Sequence, residues 1–84
     1  MATVLSEQDL IAFGRRVQER RQAMGLSQTA FGEIISLHRV SVARIEAGAV
    51  DVPYSTMLAI AEALGVTVAD LTADSPTRPM GKRK

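Results

Sequence analysis

Cysteine and tryptophan are absent from these 84 residues, aromatic side chains make up 4%, and there is one histidine. Without cysteine the chain has neither a disulfide framework nor a thiolate metal site, and an intracellular setting is expected. A lone histidine with no cysteine or acidic cluster beside it makes a poor metal centre, so no metal or other cofactor is expected. The N-terminus lacks a basic stretch followed by an apolar run, and no apolar segment approaches the length that spans a bilayer. A soluble, cytoplasmic chain with no membrane partner is the expectation. Neither a nucleophile–base pair nor a phosphate-cradling glycine loop occurs, so no enzymatic activity and no small-molecule ligand are expected. No Val, Thr or aromatic run alternates long enough for a strand.

What is present favours helices. Hydrophobic residues make up 46%, enough for one core, which must come from Leu, Ile, Val, Met and Ala. Leu and Ala are good helix formers, and the length suits one domain near the lower limit for folding alone. An all-α class follows. The net charge is only +1, but it is unevenly spread. Residues 1–48 hold six Arg against five acids, and residues 49–74 hold Asp51, Glu62, Asp70 and Asp74 with no Lys or Arg. From Ser75 onward Arg78, Lys82, Arg83 and Lys84 meet no acid.

Three segments are expected: an N-terminal extension (1–6), a helical domain (7–73) and a flexible basic tail (74–84). Ser6-Glu-Gln-Asp9 has the form of a capping box, and the Ser6 cap should contribute about 1 kcal/mol. Helix 1 then runs to about Met24 with Leu10, Phe13, Gly14, Val17 and Met24 inward, and Gly25 is its left-handed stop. Arg21 falls on the inward side, four residues after Val17. Ser27 caps helix 2, in which Gly32 costs roughly 0.5–1 kcal/mol relative to Ala and should serve a close approach of helix 3. Helix 3 runs from His38 or Arg39 to Ala47, with Gly48 as its stop. Pro53 opens helix 4, about Tyr54–Leu64, with Met57, Leu58, Ile60, Ala61 and Leu64 on its core side. Thr67 caps a short helix, Val68–Leu71. The two prolines and closing basic residues after Ala73 predict disorder.

The informative stretch is Gln28–Ala47. At about 100° per residue, Phe31 and Ile35 share one face, and so do Val42 and Ile45. Ser36-Leu37-His38 breaks the period between them, with Leu37 placed to plug the angle between two short helices. This is a helix-turn-helix, a motif whose second helix enters the DNA major groove. On that helix Arg39, Ala43, Ala47, Val40 and Arg44 sweep across the side opposite Val42 and Ile45, with the arginines at the two edges. A small centre permits close approach to a groove while long edges reach. An arginine can bond a guanine bidentately, worth roughly 1–3 kcal/mol of discrimination, and Val40 can meet a thymine methyl. The plainer alternative is an exposed face merely solvated by its arginines.

Leu26-Ser27-Gln28, Arg44-Ile45-Glu46-x-Gly48 and Ala63-Leu64-Gly65-Val66 together resemble the phage-repressor/Cro-type (XRE-like) helix-turn-helix family. The resemblance runs from about Phe13 to Leu71 without a gap in register. It implies a compact five-helix, lambda-repressor-like domain, usually a homodimer on a palindromic double-stranded DNA operator. It also implies that helix 3 enters the major groove and the start of helix 2 grips a phosphate. Three positions depart from the pattern. Residue 36 is Ser where Gly is usual because the backbone takes positive φ. Residue 20 is Arg where apolar residues are usual, and the loop after helix 3, often basic, is Ala-Val-Asp-Val.

Within that frame Arg39, Val40, Ala43 and Arg44 are expected to read bases. Gln28, at a helix start whose free N–H groups attract anions, is expected to bond a phosphate, with Ser27, Thr29, His38 and Ser41 as further phosphate contacts. Ser27 can instead be purely a cap, and His38 either a poor cap or a contact. Arg21 and Glu46 are expected to form a structural ion pair pinning helix 1 to the end of helix 3. The tail either sweeps the phosphate backbone or serves as a solubilising end. Helices 4 and 5 are expected to carry the dimer contact through Val66, Val68 and Leu71 near the surface. The leading expectation is a sequence-specific repressor that blocks a promoter. The other is an antitoxin-like or co-regulator module that mainly binds protein, favoured by the near-neutral charge and the non-basic loop.

Overall fold

Each helix of this chain is delimited by local chemistry that can be read residue by residue. A computed structural model describes residues 6–72, in the order α1 (Glu7–Ala23), α2 (Gln28–Ile35), α3 (Arg39–Glu46), α4 (Tyr54–Leu64) and α5 (Val68–Thr72). The expected extension up to Leu5 and the basic tail lie outside the described residues. Ser6 caps α1 by accepting from the Asp9 N–H at 3.1 Å. Glu7 and Asp9 occupy the first turn and Arg20 and Arg21 the last, so both ends suit the helix dipole. Ser27 accepts from the Ala30 N–H at 3.0 Å to open α2. Pro53 stands at the cap of α4 rather than inside it, and its carbonyl accepts from Thr56 at 2.9 Å and Met57 at 3.0 Å. Thr67 and Asp70 close the start of α5 reciprocally, each backbone N–H donating to the other's side chain at 3.0 Å. That is a complete capping box.

The buried interior is built from all five helices. Phe13, Val17, Phe31, Val42, Ile60 and Leu71 are its fully buried side chains, so the two phenylalanines stand at the centre of a core expected to be aliphatic. Leu26, Ile35, Leu37, Val50, Leu64, Val66 and Val68 pack against its edges. Burial of each large apolar side chain stabilises the fold by roughly 1.5–3 kcal/mol. Among the described residues no strand occurs, and no helix is long and apolar enough to cross a membrane.

Three inward or outward assignments are corrected. Leu71, expected near the surface, is wholly buried, because α5 folds back against both α1 and α4 and turns this residue into the core. It is therefore not available to a partner. Leu58, expected inward, is 44% exposed. It lies about 100° beyond Met57, outside the stripe set by Met57, Ile60, Ala61 and Leu64. Met24, also expected inward, forms the C-cap of α1 and is half exposed. Beyond the last full turn the helical period no longer dictates its direction.

Candidate nucleic-acid interface

The α2–turn–α3 unit depends on two unusual backbone positions. Ser36 closes α2 in the left-handed region, φ 62° and ψ 42°. It is the one non-glycine residue with positive φ among the described residues. That conformation costs a residue with a Cβ roughly 1–2 kcal/mol, and it explains why glycine is the usual occupant. The Leu37 N–H donates to the Gly32 carbonyl at 2.8 Å. A Cβ on Gly32 would overlap the Leu37 carbonyl oxygen and stand 3.3 Å from Val42 Cγ2. Gly32 therefore admits the carbonyl of the turn first and α3 second.

A second close approach, between α1 and α3, carries no comparable period break in the sequence. A Cβ on Gly14 would overlap the carbonyls of Ile45 and Glu46, so the end of α3 lies directly on the backbone of α1. Gly14 was readable as inward-facing but not as this contact.

At the same place Arg21 and Glu46 meet. Arg21 Nε donates to Glu46 Oε2 at 2.6 Å and Nη2 to Oε1 at 3.1 Å, while Nη1 donates to the Leu26 carbonyl at 2.6 Å. Both side chains are buried, 8% and 3% exposed. Gln28 Nε2 donates to Glu46 Oε1 at 3.1 Å. The pairing of Gln28 with Glu46, which links residues 18 apart on different helices, had no sequence signal.

The outer side of α3 is turned away from this junction. Val42, Ile45 and Glu46 are buried, whereas Arg39, Val40, Arg44 and Ala47 are exposed and Ala43 and Ser41 half-buried. His38 is the exposed N-cap of α3 and makes no side-chain capping bond. At the start of α2 Ser27 and Thr29 are exposed and Gln28 half-buried. Ser27 Oγ is engaged by the Ala30 N–H. Helix geometry leaves the first N–H groups of α2 without intrahelical acceptors. The unit thus brings Arg39, Val40, Ala43 and Arg44 onto one face.

Two short helices joined by a tight turn, with the second laid across a supporting α1 and exposing a basic-edged face, define a helix-turn-helix protein. The helix-turn-helix domain family matches residues 12–73, well over half the chain, and the chain belongs to that family. No curated protein matches the sequence. Among solved structures the chain is similar to the restriction-modification controller protein C.AhdI from Aeromonas hydrophila. The two are 36% identical over 76% of this chain and 97% of that one, with a TM-score of 0.72. It is also similar to the hypothetical transcription factor NHTF from Neisseria, 29% identical over 86% of this chain and 84% of that one, TM-score 0.71. The P22 c2 repressor, solved with a synthetic operator, shares the fold at 24% identity over 70% and 89% of the two chains, TM-score 0.68.

Proposed function

We infer that the chain is a sequence-specific transcriptional regulator, a repressor that binds a palindromic operator as a dimer and occupies the promoter. The observation that carries this reading is the exposed face of α3. It combines arginines at two edges with small residues between them, on a helix whose opposite side is held by the core. Arg39 and Arg44 serve as the reaching residues, Val40 as the apolar contact to a thymine methyl, and Ala43 as the point of closest approach. The free N–H groups at the start of α2 take a phosphate, with Thr29 and Gln28 beside them and Ser27 mainly capping. His38 and Ser41 flank the face as further phosphate contacts. The similar proteins support the reading: one is a restriction-modification controller protein and another a hypothetical transcription factor.

Dimerisation falls to the second half of the chain. With Leu71 buried, the exposed apolar residues of α4 are Tyr54, 65% exposed, and Leu58, one turn on. Val66 and Val68 retain part of their surface. Two copies joined there would address half-sites about 34 Å apart. The same exposed pair is the observation that favours the second reading, an antitoxin-like or co-regulator module with a protein partner on α4.

Selecting from a pool of random duplexes with purified chain, at low and at moderate salt, separates the two. Enrichment of a palindrome supports the operator-binding dimer. A purified dimer that enriches nothing contradicts it.

A further inference from the structure

The turn joins the end of α2 to the start of α3, residues Ser36 to His38. The Gln28–Glu46 bond joins the start of α2 to the end of α3. The two helices are therefore tied at both ends, once through the backbone and once through side chains. The acceptor of the second tie is itself immobilised, because Arg21 holds the Glu46 carboxylate through two nitrogens at a buried position. Arg21 also holds the Leu26 carbonyl. Backbone and side chain on either side of the Ser27 cap thus meet one junction.

Chemistry fixes the direction of the Gln28 amide. An ionised carboxylate only accepts, so Gln28 must turn its NH2 group towards Glu46 and its carbonyl oxygen elsewhere. One of its two donors is thereby committed inside the protein.

We propose that Gln28 is a positioning residue: through Glu46 it locks the start of α2 to the end of α3, setting the spacing between phosphate grip and base-reading face. This rests on the DNA-binding reading above. Loss of the tie loosens the angle between two helices of only eight residues each. It therefore penalises a duplex that must satisfy both grips at once more than a random one.

The test begins with the free chain. In a 15N-labelled sample the Gln28 side-chain amide should show one proton moved downfield and slowed in exchange. Replacing the pair by apolar residues, Arg21→Met with Glu46→Leu, should return it to free-glutamine values. Free-glutamine values in the parent chain overturn the proposal. The second arm measures affinity for a selected duplex and for random duplexes. Gln28→Met keeps the length without the amide and should lower the ratio of the two affinities about tenfold, in the middle of the range for residues that couple. In the Arg21→Met, Glu46→Leu background the same change should alter the ratio less than twofold.

An equal loss in both backgrounds, or a uniform loss across sequences, makes Gln28 an independent phosphate contact and overturns the proposal alone. A parent chain that selects no sequence defeats the DNA-binding reading and this proposal together. Should the doubly replaced chain not fold, the amide spectrum of the parent and the Gln28→Met ratio still decide.

Discussion

The two ends of α3 are built on opposite principles. Its C-terminal end is anchored: Glu46 takes donors from Arg21 and Gln28, and the last carbonyls rest on Gly14 of α1. Its N-terminal end is open. His38 caps it without a side-chain bond, and Arg39 and Val40 stand exposed. A recognition helix needs both properties. An end packed into the protein fixes where the helix points, and an end left polar and unpaired leaves donors for another molecule. Residues a few positions apart on one short helix thus divide into those that hold it and those left exposed for contact.

Substitutions at the two ends should therefore fail in different ways. The largest effect belongs to the anchored end. Glu46→Ala strands the buried Arg21 guanidinium and should cost roughly 3–5 kcal/mol of folding stability, measured by urea unfolding. Gly14→Ala should follow at about 1–3 kcal/mol, since the new methyl meets backbone carbonyls rather than a flexible side chain. An unchanged urea midpoint for either would show that the C-terminal end of α3 is not anchored there.

At the open end the sign reverses. His38→Ser supplies the missing cap and should stabilise the chain by about 1 kcal/mol, while DNA affinity falls. Stability and affinity rising together would show that His38 touches no phosphate.

The smallest effect comes from a helix start closed in the opposite way. The Thr67 backbone N–H and side chain, followed by the positive charge of Arg20, hold the Asp70 carboxyl below the usual aspartate range. A pKa lower in the folded state than in the unfolded chain means that this contribution is fully present above the ordinary aspartate range. It is lost as pH falls through the lowered value. Asp70→Asn should flatten the acid limb of the stability profile slightly. A larger acid dependence in the variant would contradict the capping role.

Helix limits were legible in the sequence because caps and stops are local. Ser6, Ser27 and Thr67 open their helices, and Gly25 and Gly48 adopt positive φ just past theirs. The positive φ at residue 36 was legible too, from the resemblance, although serine occupies it. The inward stripe of α1 held through Leu10, Phe13 and Val17 and failed only at Met24, past the last turn. What the sequence could not show depends on how helices meet. Leu71 looks like a surface residue of a short acidic segment until α5 is folded onto α1 and α4. Gln28 looks like a first-turn polar residue until the end of α3 arrives beside it. Periodicity orients a side chain about its own helix axis, and neither meeting is contained in that angle.

Arg44→Ala asks whether the exposed face of α3 reads base sequence. Arg44 lies outside the buried junction, so its removal should leave the unfolding midpoint unchanged. Affinity for the selected duplex should fall by roughly 1–3 kcal/mol while affinity for random duplexes falls far less. Equal losses on selected and random DNA would make Arg44 a phosphate contact, and no loss on either would contradict the claim.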